Sequence, residues 1–305
     1  MKKKNVRLGI IGMSDGNGHP YSWSAIFNGY RPDVMQSCPF PVIPEYLGQH
    51  KFPDDSISGA EVTHIWTQRR ELSEHIAGTS RIAHIVDRFD DMLGQVDGIL
   101  LARDDAERHF EFASPYLKAG VPVYIDKPLA HSLQDAEHLL SLQQYEGQLF
   151  TCSALRFGKE FQLGPEERER LGPIMCVDAY TPKSWEKYAI HIIEPVLHIL
   201  NRDIKIIDKN NLAHNKIRRL QLYCQDGLRL NFNTLGNHQA QIEIHIVGER
   251  SSRHLVFKDT FFAFREALKA FLNSIHKKAP VINRSQTLTG IHIIEQGLLE
   301  FGKKG

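Results

Sequence analysis

The sequence predicts an α/β chain: a doubly wound parallel sheet in its N-terminal part, then an α+β domain on a largely antiparallel, open sheet. Three observations carry this. Strand-like and helix-like segments alternate over residues 5–153, the pattern of a parallel sheet whose crossovers are helices. After about residue 155 strands follow one another, and residues 219–223 and 241–246 alternate apolar with polar, as one-sided antiparallel strands do. Val121-Pro122-Val123-Tyr124-Ile125 is a β-branched and aromatic run suited to a strand covered on both faces, and it stops abruptly at Asp126-Lys127-Pro128. At 305 residues the chain is long enough for two domains, expected at 1–128 and 129–305.

In order, residues 6–11 read as the first strand, followed by a glycine-rich turn, Gly12-Met13-Ser14-Asp15-Gly16-Asn17-Gly18, and a helix over about 21–28. Residues 30–60 carry many Pro, Gly and Asp without a period and are expected to be an irregular insertion. A strand over 62–66, a helix over 71–77 and a strand over 98–102 come next. Asp104 with Glu107 has the spacing of a capping box, opening a helix that places Phe110, Ala113 and Leu117 on one face and stops at Gly120. Ser132 with Asp135 repeats that pattern before Leu133, Ala136, Leu139 and Leu140, and residues 149–153 form the next strand. Strands are then expected at 175–180, 204–209, 219–224, 228–233 and 241–247, and helices over about 261–276 and 288–301.

Composition narrows the function classes. Lys+Arg 37 against Asp+Glu 36 leaves a net charge of +1, which points to neither nucleic acid nor an acidic membrane surface. Cys38, Cys152, Cys176 and Cys224 form no CxxC pair, which argues against a structural zinc or a disulfide framework and for a reducing compartment. Met1-Lys2-Lys3-Lys4 imitates the start of a signal peptide, but the apolar stretch behind it is short and broken by glycines, so a cytoplasmic location is expected.

Chemistry gathers at strand ends, because ligands of open α/β sheets bind beyond the carboxyl ends of the strands. Lys127 stands at such an end, with Pro128 restricting its backbone. The turn after the first strand is where a dinucleotide pyrophosphate would lie, held by Gly12, Ser14, Gly16, Asn17 and Gly18. Counted from Gly12 its GxGxxG register is imperfect, with Ser14 and Asn17 at glycine positions. The second strand ends Thr67-Gln68-Arg69-Arg70 with no acid for a ribose 2′-hydroxyl. Thr67, Arg69 and Arg70 would suit a 2′-phosphate, so NADP is slightly preferred over NAD; solvated arginines at a helix start weigh equally. His191 and Glu194 are three apart on an apolar helix and share a face; no third ligand stands nearby, so no metal is expected.

Together these residues resemble the Gfo/Idh/MocA oxidoreductases, the relatives of glucose-fructose oxidoreductase and inositol dehydrogenase. Asp126-Lys127-Pro128 stands where that family has Glu-Lys-Pro. Gly98-Ile99-Leu100-Leu101-Ala102 with His109, then Ala119-Gly120-Val121-Pro122-Val123, resembles its approach to that motif. Arg156-Phe157 and Leu171-Gly172-Pro173-Ile174 resemble its entry into the second domain, and His191 with Glu194 resembles its His-x-x-Asp helix motif. The likeness covers essentially the whole chain. It departs at the glycine-rich loop, at the missing ribose acid, and at Lys187, where the family usually has an aspartate four residues before its histidine.

The resemblance implies a Rossmann-type first domain and hydride transfer between a nicotinamide cofactor and a hydroxyl or carbonyl carbon of a sugar, sugar derivative or cyclitol. It implies Lys127 and His191 as catalytic residues, and Ala102, His109, Asp126, Lys127 and Pro128 as further cofactor contacts. Lys127, Arg156, Lys187, Tyr188, His191 and Glu194 would meet the substrate, with Lys187 admitting an acidic one. Two rivals stand beside this: a lyase or glycosidase with a tightly held NAD, and a catalytically silent ligand sensor. A homodimer or homotetramer is expected through the outer face of the second sheet, with no nucleic-acid or membrane partner.

Overall fold

Strands β1 (Val6–Ile11), β2 (Ala60–Trp66), β3 (His84–Ile85), β4 (Gly98–Leu101), β5 (Val123–Ile125) and β6 (Leu149–Thr151) form an all-parallel sheet in the order β3-β2-β1-β4-β5-β6. This is a computed structural model that describes residues 5–302. Met1-Lys2-Lys3-Lys4 lies outside the described residues. The strand order reverses direction between β1 and β4, which makes their carboxyl ends the binding crevice of a doubly wound sheet. The central strands are apolar on both faces because helices cover both: Leu8, Ile10, Ile99, Leu101, Val123 and Ile125 are fully buried.

Helices α1 (His19–Asn28), α2 (Pro32–Met35), α3 (Val42–Leu47), α4 (Arg70–Ser80), α5 (His109–Lys118) and α6 (Leu133–Ser141) connect these strands. The expected irregular insertion is therefore partly helical. Its helices α2 and α3 bury Met35, Ile43 and Leu47, which explains why short apolar runs sit among its Pro and Gly. At Ser132 half of the expected capping box forms: the Asp135 N–H donates to Ser132 Oγ at 3.1 Å, and that hydroxyl donates to Asp135 Oδ2 at 2.7 Å. The box expected at Asp104 does not form, for this acid faces the glycine-rich loop; α5 starts at His109 after a 3₁₀ turn over Ala106–Arg108, and Phe110 is exposed.

The second sheet contains β7 (Ile174–Thr181), β8 (Ile206–His214), β9 (Ile217–Cys224), β10 (Arg229–Thr234), β11 (Glu243–Gly248) and β12 (Ser252–Val256) in the order β12-β11-β7-β10-β9-β8. All pairs are antiparallel except β7 with β10, so the sheet is mixed rather than purely antiparallel. Strict alternation does its work here: Leu220, Leu222, Ile244 and Ile246 are fully buried against α9 (Ile190–Leu200) and α11 (Arg284–Phe301) in one core. Helices α7 (Pro165–Leu171), α8 (Trp185–Tyr188) and α10 (Thr260–Lys277) complete the chain. Among the described residues no helix is long and apolar enough to cross a membrane.

The chain forms two compact units. The first compact unit takes the chain through Leu129 and adds Glu137–Thr151 and Phe264–Ile282; the second holds Ala130–Ala136, Cys152–Ala263 and the chain from Asn283 on. The reason is pairing and packing: β6 is hydrogen-bonded to β5, and fully buried Phe271 lies with its ring centroid 5.7 Å from that of Tyr124 and 5.9 Å from that of Phe150.

Candidate active site

In the first unit the loop after β1 is tied down by side chains rather than by glycines alone. A Cβ on Gly12 would lie 2.5 Å from Pro20 Cγ, so only glycine lets the loop close onto α1. Gly18 likewise leaves the space that Phe40 and Ile43 of the 30–60 segment fill. Ser14 Oγ donates to Asp104 Oδ1 at 2.5 Å and accepts the Asp104 N–H at 3.0 Å. Asn17 accepts the His19 N–H at 2.8 Å and donates to Asp126 Oδ2 at 2.7 Å. Ser14 and Asn17 thus stand at glycine positions because each bonds an acid past a strand end, Ser14 the one beyond β4 and Asn17 the one beyond β5.

Those acids flank Lys127, which is 5% exposed at the carboxyl end of β5. Its Nζ lies 3.6 Å from Asp104 Oδ2, a nearly dry ion pair, and its bond to Pro128 is cis. Asp126 is buried, accepts the Lys127 N–H at 2.8 Å and meets His19 Nδ1 at 2.5 Å. Burial alone would raise its carboxyl, but His19, Lys127 and Asn17 together hold it well below the usual carboxylate range. Thr151, next to Ile125 across the ladder, has a buried hydroxyl with no partner among the described residues.

At the end of β2, the buried Thr67 hydroxyl bonds to Arg69 O at 2.7 Å and meets Ser73 Oγ at 2.9 Å. Arg69 is exposed, while Arg70 is held by Asp87 at 2.6 Å and Glu74 at 3.3 Å. Sequence reading missed Gln68 and Arg103. The Gln68 amide accepts the Met13 N–H at 2.9 Å and donates to its carbonyl at 2.7 Å. Arg103, almost fully buried, donates to the same carbonyl at 3.2 Å, pairs with Asp105 at 2.5 Å and lies 4.8 Å from the Phe112 ring centre. Its position just past a strand end was the available signal. Of two further expected cofactor contacts, His109 is fully buried with its ring nitrogens on the carbonyls of Leu129 and Arg103, at 2.9 and 2.8 Å, and the Ala102 N–H donates to Ile11 O at 2.8 Å.

The second unit holds the other group of expected residues. His191 Nδ1 is 2.8 Å from Ser153 Oγ, and the Ser153 N–H donates to Glu194 Oε2 at 2.8 Å, so Ser153, also missed, links the two helix residues. Burial pushes the Glu194 carboxyl up to about 7, against the lowering effect of the Arg156 cation and the Ser153 N–H. Arg156 is itself buried and bonded to Gln286. The Tyr188 ring meets that of His191 edge-on at 5.1 Å. The cation on Tyr188 is Lys183, which donates to its hydroxyl and sits 4.3 Å from its ring centre; Lys187 is half-buried on the same short helix. Lys127 and His191 fall in different units.

The oxidoreductase family with an NAD-binding Rossmann fold, Gfo/Idh/MocA, matches residues 46–153. Over those residues the chain is similar to the Gfo/Idh/MocA oxidoreductases. The match opens after the altered glycine-rich loop and takes in the Asp126-Lys127-Pro128 motif. The YceM protein of Salmonella typhimurium is 35% identical over 77 residues, which are 25% of this chain and 24% of YceM. The chain therefore aligns with about a quarter of that relative's length. The solved scyllo-inositol dehydrogenase of Lactobacillus casei with bound NAD(H) and scyllo-inositol is 14% identical, with a TM-score of 0.72 over 97% of this chain and 96% of that one. Myo-inositol 2-dehydrogenase of Lactobacillus plantarum is 13% identical, with a TM-score of 0.72 over 97% of each chain. At these identities the likeness is one of fold, and it extends beyond the Gfo/Idh/MocA stretch to both units.

Proposed function

We propose that the chain is an NAD(P)-dependent oxidoreductase that moves a hydride between the nicotinamide and a hydroxyl or carbonyl carbon of a sugar, sugar derivative or cyclitol. The observation that carries this is Lys127, buried at the carboxyl end of β5 in a Gfo/Idh/MocA nucleotide-binding fold with its ammonium against Asp104. A lysine so placed is costly unless its charge is used, because burial disfavours the charged form. One observation fits a dinucleotide: the buried Thr151 hydroxyl, at the carboxyl end of β6, has no partner among the described residues.

When bound, the nicotinamide supplies the hydride acceptor or donor. Lys127 donates to the reacting oxygen and stabilises the negative charge that develops there. Asp104 and Pro128 hold it in place. His191 exchanges the hydroxyl proton: with its Nδ1–H donated to Ser153 Oγ, Nε2 is the proton-accepting nitrogen. Arg156, Lys187, Tyr188 and Glu194 are assigned to substrate hydroxyls, and Lys187 to an acidic group where the substrate has one. Gly12, Ser14, Gly16, Asn17 and Gly18 would hold the cofactor's phosphates, and Thr67 its adenosine ribose. A preference for NADP rests on Arg69, since two carboxylates already hold Arg70.

Lys127→Met and His191→Asn test the assignment. Losing the electrostatic donor should lower kcat by roughly 10²–10³-fold, and losing the acid/base group by roughly 10²–10⁴-fold, with melting temperatures near wild type. Full turnover in either variant refutes that residue's role.

A further inference from the structure

The first turn of α1 has little to offer an anion. Helix N-termini bind phosphate through N–H groups that lack intrahelical partners. Here the His19 N–H is taken by Asn17 Oδ1 at 2.8 Å, and Pro20 has no N–H. The Tyr21 and Ser22 N–H groups both turn back onto Gly18 O, at 3.0 and 3.4 Å. A dinucleotide over this loop would lose the backbone donors of α1 that usually meet its phosphates.

One side chain stands in the same place with a donor to give. His19, the first residue of α1, has a ring fixed on three sides: Nδ1 lies 2.5 Å from Asp126 Oδ2, the face stacks on Trp23 at 5.0 Å, and Phe264 meets it edge-on at 4.9 Å. Its Nε2 has no partner among the described residues, and the side chain is 18% exposed. Asp126 cannot take on a further role: one oxygen receives Asn17 and His19, and the other receives the Lys127 N–H. A carboxylate behind one imidazole nitrogen fixes the ring and directs the other nitrogen outward.

We infer that His19, oriented by Asp126, is the side-chain ligand for a phosphate of the bound dinucleotide, standing in for the helix N–H groups this chain has spent on itself. Asp126 is its positioning residue. Nδ1–H donates to Asp126 and Nε2–H to a phosphate oxygen, an imidazolium held between two anions by charge-assisted hydrogen bonds. Lys127 and Asp104 form their own ion pair beside this group, so neither is needed to neutralise the phosphate. The inference rests on the dinucleotide reading above and names the group that makes the cofactor's phosphates count.

Calorimetric titration of the full chain with ADP-ribose and with adenosine separates the two. His19→Phe keeps the stacked ring and removes both nitrogens; His19→Gln serves as a second variant, and far-UV spectra and melting curves check the fold of each. ADP-ribose affinity should fall roughly tenfold or more in both variants, the loss expected for a hydrogen bond to a charged group, while adenosine affinity stays at the wild-type value. Asp126→Asn should show a smaller loss, again confined to ADP-ribose. Unchanged ADP-ribose affinity, or equal losses for both ligands, overturns the assignment of His19 alone. Failure of the wild-type chain to bind either ligand overturns it together with the dinucleotide reading.

Discussion

Glu194 shows how a single side chain carries information that its spacing does not. From sequence it is the acid three residues after His191; in the structure it is buried, held by the Ser153 N–H, and has a carboxyl pushed up to about 7. A carboxyl raised in the folded chain binds its proton more tightly there than in the unfolded chain, so the associated stability is complete below about 4.5 and is lost as pH rises to about 7. Gln in its place stays neutral and still accepts the Ser153 N–H. Glu194→Gln should therefore gain on wild type in unfolding free energy across that interval, on the order of 3 kcal/mol by its upper end; a constant difference would contradict a buried, titrating acid. The residues legible in sequence were those whose chemistry depends on chain neighbours, such as Lys127 before Pro128. His19, Asp104, Arg103 and Ser153 were not, because their roles come from partners at least 38 positions away.

At the scale of elements, periodicity was a dependable guide wherever one face meets a core. Five of the six strands of the second sheet overlap their expected bounds, since alternation is fixed by which side chains are buried, although β8 runs on to His214 and β12 was not expected. The short helices α2 and α3 and the two-residue strand β3 escaped it because so few residues show no period. The Asp104 capping box failed for a different reason: a tertiary partner, Ser14, competes for the acid that the local pattern assigned to a helix end. The loop between β1 and α1 depends on close approach, which gives a direct test. Gly12→Ala would force a methyl against the rigid Pro20 ring, costing about 1–3 kcal/mol and moving α1 away from the loop. A lower melting temperature together with weakened ADP-ribose binding is the expected outcome; unaltered binding would mean the loop tolerates the displacement.

For the whole molecule, the change from alternating strands and helices to successive strands was enough to read two domain types, because each pattern commits the chain to a different kind of sheet. It could not show the returning segment 264–282, whose helix has the same amphipathic pattern whichever unit it serves. Self-association was expected because an open sheet should have a second face to bury. That outer face carries Asp178, Asn231, Gln221, Arg219, Glu243 and His245, with Asn231 bonded to Asp178 at 2.7 Å and Arg219 to Asn233 at 2.7 Å. The same face also carries Cys176, Tyr180, Tyr223 and Val247, and Asn231 Oδ1 is buried without a partner among the described residues. The central claim is that the chain oxidises or reduces a carbon with a nicotinamide cofactor. Its most direct measurement is nicotinamide absorbance while the protein is incubated with NAD and NADP, oxidised and reduced, and a panel of sugars, acidic sugars and cyclitols. A net change in absorbance with at least one substrate, lost in Lys127→Met, is the predicted result. Substrate conversion with no net change in absorbance would contradict it.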